Sequence, residues 1–311
     1  MEEILVTGGA GYIGSVLVPD LLDDGYKVTV IDNLMYKQTS LAMCFRNKNF
    51  KFHQVDVRSL GDVRKIASKA DVVIPLAAIV GAPACDLDPW AASSINKTAT
   101  IEMIKTISPS QLIIMPTSNS AYGSGNEKNF CDEDSPLRPI SRYAKDKVEV
   151  ENELLERGNF ISFRLATVFG HSPRMRLDLL VNNFCYRAVI DKYILMYEGH
   201  FKRNYIHVRD VSKAFQMALR MENVMRDHVF NVGLSTANIS KNDLCEEIKK
   251  FVPDFYFSEI LFKRDPDQRN YIVSNAKIEK LGFKPEHSLQ DGIRELTAGA
   301  PMYRPYHHTN L

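Results

Sequence analysis

Tyr143 and Lys147 stand four residues apart in the run YAKDK, and Ser118 precedes them in TSNSAYG (residues 117–123). On a helix that spacing puts the phenol and the ammonium on one face. An unperturbed tyrosine titrates near pH ~10 and is a poor base at neutrality. A neighbouring cation favours the phenolate and lowers that value. Such a phenolate can take the proton of a hydroxyl while the carbon beneath it gives up a hydride. Ser118 can hydrogen-bond the same oxygen and hold it in line. By itself YxxxK occurs often by chance, as a surface Tyr–Lys pair, so the reading depends on what stands around it.

A hydride needs an acceptor, and the first residues point to one. VTGGAGYIG places Gly8, Gly11 and Gly14 at three-residue spacing after a strand and at the opening of a helix. Gly8 suits a tight turn, Gly11 lets the backbone approach a pyrophosphate, and Gly14 lets the helix pack closely on the sheet. The helix N-terminus adds free N–H groups and a partial positive charge. Asp32 ends the next strand in VTVIDNL. A carboxylate there accepts ribose hydroxyls and repels the 2′-phosphate of NADP, so the cofactor expected is NAD. Asp56 suits the adenine amino edge, although a lone loop Asp is nearly as readily structural. Leu76, Ala77 and Ala78 supply small residues where a strand end passes the cofactor, and Tyr12, Ile13, Asn33 and Val57, which flank these landmarks, are expected to bind the cofactor with them.

The elements that must carry these residues alternate. Short β-branched runs (EILVTG, KVTVID, KFHQVDV, DVVIPLAA, QLIIMPTS, FISFRLA) are separated by helical stretches from about Tyr12, Thr39, Leu60, Pro89 and Ser141. The stretch from Pro89 reads as one long helix to Ile107. This order predicts an α/β fold, a doubly wound parallel sheet that binds its ligand at the carboxyl ends of its strands. Beyond Gly170 the pattern loosens into short strands (ILMYEG, NYIHV, HVFNVG, DFYFS) and helices near 177–189, 209–221, 240–250 and 288–297. The expected organisation is a cofactor domain over 1–170 with a return segment at about 204–233. A smaller substrate-capping domain comprises 171–203 and 234–311. The Pro/Gly/His-rich end, GAPMYRPYHHTNL, reads as an extended tail.

Composition narrows the classes. The 311 residues are 45% hydrophobic and 25% charged with a net charge of +1, and no dense Lys/Arg run offers a surface for nucleic acid or an anionic membrane. No stretch approaches the ~20 apolar residues of a membrane span, and the opening residues begin a strand instead of a secretory leader. Five widely spaced cysteines without a CxxC fit a reducing compartment, and a cytoplasmic location is expected. The eight histidines show no ligand spacing, so no metal is expected.

Taken together these runs resemble the extended short-chain dehydrogenase/reductases, the NAD-dependent epimerase/dehydratase family with a Rossmann domain that acts on nucleotide sugars. The resemblance covers residues 1 to about 290. It implies that Ser118, Tyr143 and Lys147 are the catalytic group and that Asn96, in SSINKTAT, lies near the cofactor. RNYIHVRDVSKA (203–214) resembles the segment joining the two domains, and KRDPDQRNYIVSNAKIEKLGF (263–283) the segment whose arginine grips the nucleotide phosphates. Arg203 and Arg264 are thereby implied as diphosphate ligands, with Arg269 a competitor to Arg264. Asn182, in DLLVNNF, is a weaker substrate candidate beside Ser118 and Asn119. The resemblance also implies a homodimer built on the helices near 89–107 and 141–157.

The two residues after Ser118 separate the reactions open to the family. In the 4,6-dehydratases an Asp and a Glu stand there, one to protonate the departing hydroxyl and one to take the C5 proton. Asn119 and Ser120 do neither, and Ser120 is not the cysteine of the 3,5-epimerising relatives. Oxidation at C4 of a nucleotide-linked sugar survives. It ends in a 4-epimerase if the ketone is reduced on its other face, or in a 4-dehydrogenase if the 4-keto sugar leaves. AAIVGAPACDLDPWAASSINKTAT and SPRMRLDLLVNNF resemble a bacterial subgroup that includes GDP-glycero-manno-heptose 4-dehydrogenases of capsule synthesis. That favours the second ending on a GDP-hexose or GDP-heptose, with UDP-hexose 4-epimerisation the alternative. A non-catalytic NAD-binding sensor or scaffold would be expected to lose the Tyr or Lys, which this chain keeps. A simple alcohol dehydrogenase would not need the late arginines.

Overall fold

The computed structural model describes residues 2–124, 130–260, 269–304 and 308–310. In chain order the strands are β1 (Glu3–Thr7), β2 (Lys27–Asp32), β3 (Phe50–Gln54), β4 (Val72–Pro75), β5 (Leu112–Ser118), β6 (Phe160–Leu165), β7 (Thr167–Phe169), β8 (Tyr193–Tyr197), β9 (Lys202–His207), β10 (His228–Val232), β11 (Asn238–Ser240) and β12 (Tyr256–Ile260). Seven of them make one parallel sheet in the order β10-β6-β5-β4-β1-β2-β3.

Their near-continuous apolar runs follow from burial on both faces. On one face Ile4, Val6, Val28 and Val30 share a core with Leu17, Val18 and Leu21 of the Gly14–Asp23 helix and Phe215 of the Val208–Arg220 helix. On the other, Leu5, Ile31, Val73 and Ile113 meet Met103 and Ile104, and Val150 and Leu154 of the Arg142–Arg157 helix. The chain leaves β1 toward β2 and β3 and then crosses to β4 on the other side of β1. The crevice beyond the carboxyl ends of β1 and β4 is therefore the switch point where such sheets hold ligands.

A second core gathers Phe184, Leu244, Phe255, Ile293 and Leu296 beneath two small sheets, ordered β11-β9-β7 and β12-β8. β9 pairs with β7 and β11, whereas β10 goes back to the edge of the main sheet beside β6.

Three expectations are corrected. The long helix over 89–107 is helical throughout Pro89–Thr106, but its middle, Ser94–Ala99, is a π-turn. The stretch from Thr39 forms only a short 3₁₀ turn, Ala42–Arg46. The described residues after the last helix, Leu289–Gly299, are docked instead of trailing. The Tyr303 ring stacks on His171 (5.5 Å between centres), and the His308 carbonyl accepts from the Leu177 N–H (2.6 Å). Ala300–Met302 form a short 3₁₀ turn, and a Pro/Gly-rich composition does not prevent rings and carbonyls from packing. All five cysteines are free and buried. Among the described residues no helix is long and apolar enough to cross a membrane, and no group of His, Cys, Asp and Glu could hold a metal ion.

Candidate active site

The chain turns sharply after β1. Gly8 has φ +67°, and a Cβ there would lie 2.5 Å from the Ala77 Cα, so only glycine lets the turn and the β4 exit pass. A Cβ on Gly14 would collide with the Gly9 carbonyl. Together with Ala78 and with Leu76 and Ala77, which lie against the Gly8 turn, Gly8, Gly11, Tyr12, Ile13 and Gly14 line a cleft at the switch point. Asp32 closes its end. Its carboxylate accepts from the N–H groups of Ala10 (3.0 Å) and Leu34 (2.8 Å) and from Gln38 Nε2 (3.3 Å). Burial pushes the Asp32 carboxyl up, and the two backbone N–H groups pull it back.

Asn33 and Val57 also line the cleft, but Asp56 does not. Its two oxygens take the Arg58 guanidinium (2.9 and 2.7 Å) and Asn33 Nδ2 (3.1 Å). The Arg58 fork holds its carboxyl well below the usual range. In this arrangement Asp56 aligns Asn33.

Ser118, Tyr143 and Lys147 line the same cleft. Ser141 caps the helix that carries the last two, its Oγ accepting from the Ala144 N–H (3.2 Å). Ser118 Oγ accepts both the N–H (3.1 Å) and the hydroxyl (2.8 Å) of Ser120. Its lone pairs are thus engaged, and its own O–H remains to donate. Lys147 Nζ lies 6.0 Å from the centre of the Tyr143 ring. Burial pushes Lys147 down to about 8 and Tyr143 up to about 12, the latter opposed by the charges of Arg176 and Arg269. The expectation that Lys147 brings the Tyr143 hydroxyl down is therefore not met by the protein alone, because desolvation of the phenolate is the larger effect.

A buried ionic node sets the pitch of that helix against β5. Glu151, one turn beyond Lys147, accepts from Thr117 (2.9 Å), Ser162 (2.9 Å) and Arg164 Nη2 (2.7 Å). Thr117 is the neighbour of Ser118, so this node couples the strand that carries the serine to the helix that carries the tyrosine.

The remaining sequence candidates fall at different depths. Asn119 is buried at 1% exposure, off the cleft wall, and neither amide atom has a partner. Asn96, in the π-turn, accepts from the Ile79 N–H and donates to the Ile79 carbonyl, both at 2.8 Å. It holds Ile79 in the wall without lining it. Asn182 accepts from the Gly170 N–H (3.0 Å) and donates to Tyr12 Oη (3.1 Å) and the Arg176 carbonyl (2.9 Å). With its amide so engaged it braces the wall from behind. Arg203 is buried on β9, donates to the Lys202 carbonyl (3.0 Å), and does not line the cleft. Arg269 does line it, and Arg264 lies outside the described residues.

Sequence reasoning missed Tyr36, Arg174, Arg176 and Asn310, all in the wall. SPRMR carried a signal for two of them, since arginines two apart on extended backbone share a side.

The comparisons with known proteins agree with this geometry. The family model described as NAD dependent epimerase/dehydratase family matches residues 4–233, and the chain belongs to that family. It is accordingly an NAD-dependent enzyme, and the glycine cradle and Asp32 fit that cofactor. The chain is 28% identical to a putative UDP-glucose 4-epimerase of Methanocaldococcus jannaschii, over 94% of this chain and 96% of the relative. The UDP-glucose 4-epimerase of Thermotoga maritima, solved with UDP-glucose, superposes with a TM-score of 0.82 at 26% identity, covering 95% of this chain and 97% of that one. The UDP-glucuronic acid 4-epimerase of Bacillus cereus, solved with UDP-glucuronic acid and NAD, gives 0.84 at 23%, covering 96% and 99%. At that identity it attests the fold.

Proposed function

We propose that this enzyme oxidises C4 of a nucleotide-linked sugar. The observation that carries the reading is one cleft lined by Ser118, Tyr143 and Lys147 together with the glycine cradle and Asp32. Tyr143 takes the O4 proton, Ser118 donates its free O–H to the same oxygen, and the C4 hydrogen leaves as hydride. The hydride acceptor is supplied by bound NAD, whose ring charge opposes the burial that holds the Tyr143 proton. Arg269 is the described candidate for the substrate diphosphate, with Arg203 behind the wall and Arg264 as further candidates.

Elimination of water has no support in this site. Asn119 and Ser120 cannot act as the acid and base it needs. His171 has Nδ1 on Tyr303 Oη (2.7 Å) and Nε2 on the Glu295 carbonyl (2.8 Å).

Two endings follow the ketone. Reduction on its other face gives a 4-epimerase, and the UDP-glucose 4-epimerases among the relatives favour it. Release of the 4-keto sugar gives a 4-dehydrogenase, which the likeness to the GDP-heptose subgroup favours. In this reading residues 1–170 with about 204–233 hold NAD, while 171–203 with 234–311 hold the sugar. The helices over 89–106 and 142–157, already joined by Lys97–Glu149 and Lys105–Glu153 ion pairs, would pair in a homodimer. Five reduced, buried cysteines support a cytoplasmic site of action.

The test is incubation with GDP-, UDP- and dTDP-sugars in heavy water, read by mass spectrometry and, for epimers of equal mass, by proton NMR. An unchanged mass with a new epimer marks the first ending, and a loss of two hydrogens marks the second. Loss of water from any of them would overturn the reading of Asn119 and Ser120, and no conversion at all would overturn the C4 oxidation.

A further inference from the structure

Arg174 brings to the cleft a buried charge that the chemistry above does not use. Its backbone N–H donates to Ser15 Oγ (3.2 Å), in the first turn of the Gly14–Asp23 helix. Ser15 Oγ is also 2.8 Å from Ser172 Oγ, and Ser172 Oγ donates to the Tyr12 carbonyl (2.7 Å). The 172–174 loop is thus fastened onto the helix start whose glycine turn suits a pyrophosphate. The guanidinium lies 4.8 Å from the centre of the Tyr36 ring and donates to Asn310 Oδ1 (2.9 Å), Met175 O (2.5 Å) and, at 3.4 Å, Thr309 O.

Arg174 is only 6% exposed, and among the described residues no carboxylate lies within ion-pairing distance of it. Arg176, two residues on, is satisfied by Asp178 at 2.5 Å. A buried cation held by carbonyl and aromatic partners, with no carboxylate against it among the described residues, is unfavourable unless an anion joins it. Burial and the neighbouring charge of Arg176 press on Arg174 in the direction of losing its proton, against the smaller opposing effects of Tyr36, Asp178 and Asp32, and an anion in contact would relieve it. Arg174, Tyr36 and Asn310 share the cleft wall with Gly11, Ile13 and Gly14.

We infer that Arg174 is a ligand of the cofactor's diphosphate, and that Asn310 and Tyr36 hold it ready opposite the glycine turn. The inference rests on the reading of this cleft as the NAD site. The glycine turn offers backbone N–H groups from one side, and Arg174 adds a full charge in forked geometry from the other. The 308–310 stretch becomes part of the cofactor site, through Asn310 on Arg174 and the His308 carbonyl on Leu177.

Calorimetric titration of the full chain, stripped of nucleotide, tests this with NAD, ADP-ribose and adenosine. Hydrogen bonds to charged groups predict a roughly 10- to 100-fold weaker NAD and ADP-ribose for Arg174→Ala, with Arg174→Lys between it and the unmutated protein. Adenosine, which has no phosphate, should keep its affinity within about twofold. Asn310→Ala, half-buried in the cleft wall, tests the same selectivity if Arg174→Ala does not fold, with about a threefold to tenfold loss confined to the diphosphates. Unchanged ADP-ribose affinity in both variants overturns the inference, as does an equal loss for adenosine, which would make Arg174 a support of the loop. An unmutated protein that binds neither NAD nor ADP-ribose overturns the NAD reading itself.

Discussion

Replacing Glu151 by Gln should destabilise the enzyme far more than its distance from solvent chemistry suggests. The side chains of Arg164 and Glu151 are 6% and 3% exposed, and Glu151 also receives the hydroxyls of Thr117 and Ser162. Gln keeps the shape but removes the charge, and it turns an amide N–H₂ toward groups that themselves donate. Arg164 loses its counter-charge and is left buried with neutral partners, the Gln oxygen, Tyr122 Oη (3.0 Å) and the Glu133 carbonyl (3.0 Å). Removing one partner of a buried pair costs about 3–5 kcal/mol. With an unfolding entropy of ~2.1 cal/mol/K per residue and 311 residues, that is a fall in Tm of roughly 5–8 °C. Scanning calorimetry, with urea titration as a second measure, reads the change. The double variant Glu151→Leu, Arg164→Met removes both charges and should recover more than half of the loss. A Glu151→Gln enzyme within ~1 kcal/mol of the unmutated one, or a double variant less stable than the single, would refute the assignment of this node as the brace between strand and helix.

Tyr143→Phe keeps the ring and removes the proton acceptor, so turnover should fall by roughly 10²-fold or more while NAD affinity holds; near-normal turnover would remove Tyr143 as the base. Asp32→Ala should relax a preference for NAD over NADP, measured by binding of both, and equal binding by the unmutated protein would contradict the role given to Asp32. Glu295 gives a pH effect. Burial pushes its carboxyl up, but His207 (2.6 Å), the His171 N–H (3.1 Å) and the Arg209 charge outweigh this and bring it from 4.5 down to about 2. A carboxyl depressed on folding stabilises fully above its unfolded value, and that stability is lost as pH falls through the folded one. Urea melts between pH 4.5 and 2 should therefore show a shallower fall for Glu295→Gln than for the unmutated protein; parallel curves would show that Glu295 is not the group responsible.

The legible parts of this site are those whose geometry is local. Gly8, Gly11, Gly14 and Asp32 sit at the ends of adjacent elements, so their spacing along the chain already describes their spacing in the cleft. Tyr143 and Lys147 share a helix face for the same reason. Asn96 and Asn182 were harder, because an amide serves a ligand or a backbone with the same atoms. Their partners, Ile79 and Gly170, are chosen by packing between separate segments. Arg174 and Asn310 meet across 136 residues of chain, and nothing in a Pro/Gly/His-rich run announces such a contact. The Tyr143 hydroxyl shows another limit: charges can be read from a sequence, but the desolvation that competes with them depends on depth.

The position of β10 has a consequence for how the molecule is made. β6 is complete once Leu165 has been synthesised, yet its outer neighbour begins only at His228. During the interval a growing chain carries a six-stranded sheet with the backbone of β6 open at the edge, and Phe163 without the ring of Phe230 that later packs beside it (6.5 Å between centres). An open edge of apolar strand is a template for pairing with another chain. Residues 166–227, which carry β7, β8 and β9 of the two small sheets, must be made before that edge can close. The nascent enzyme is therefore most exposed to misassembly, and most in need of chaperone cover, after its cofactor cradle is already in place.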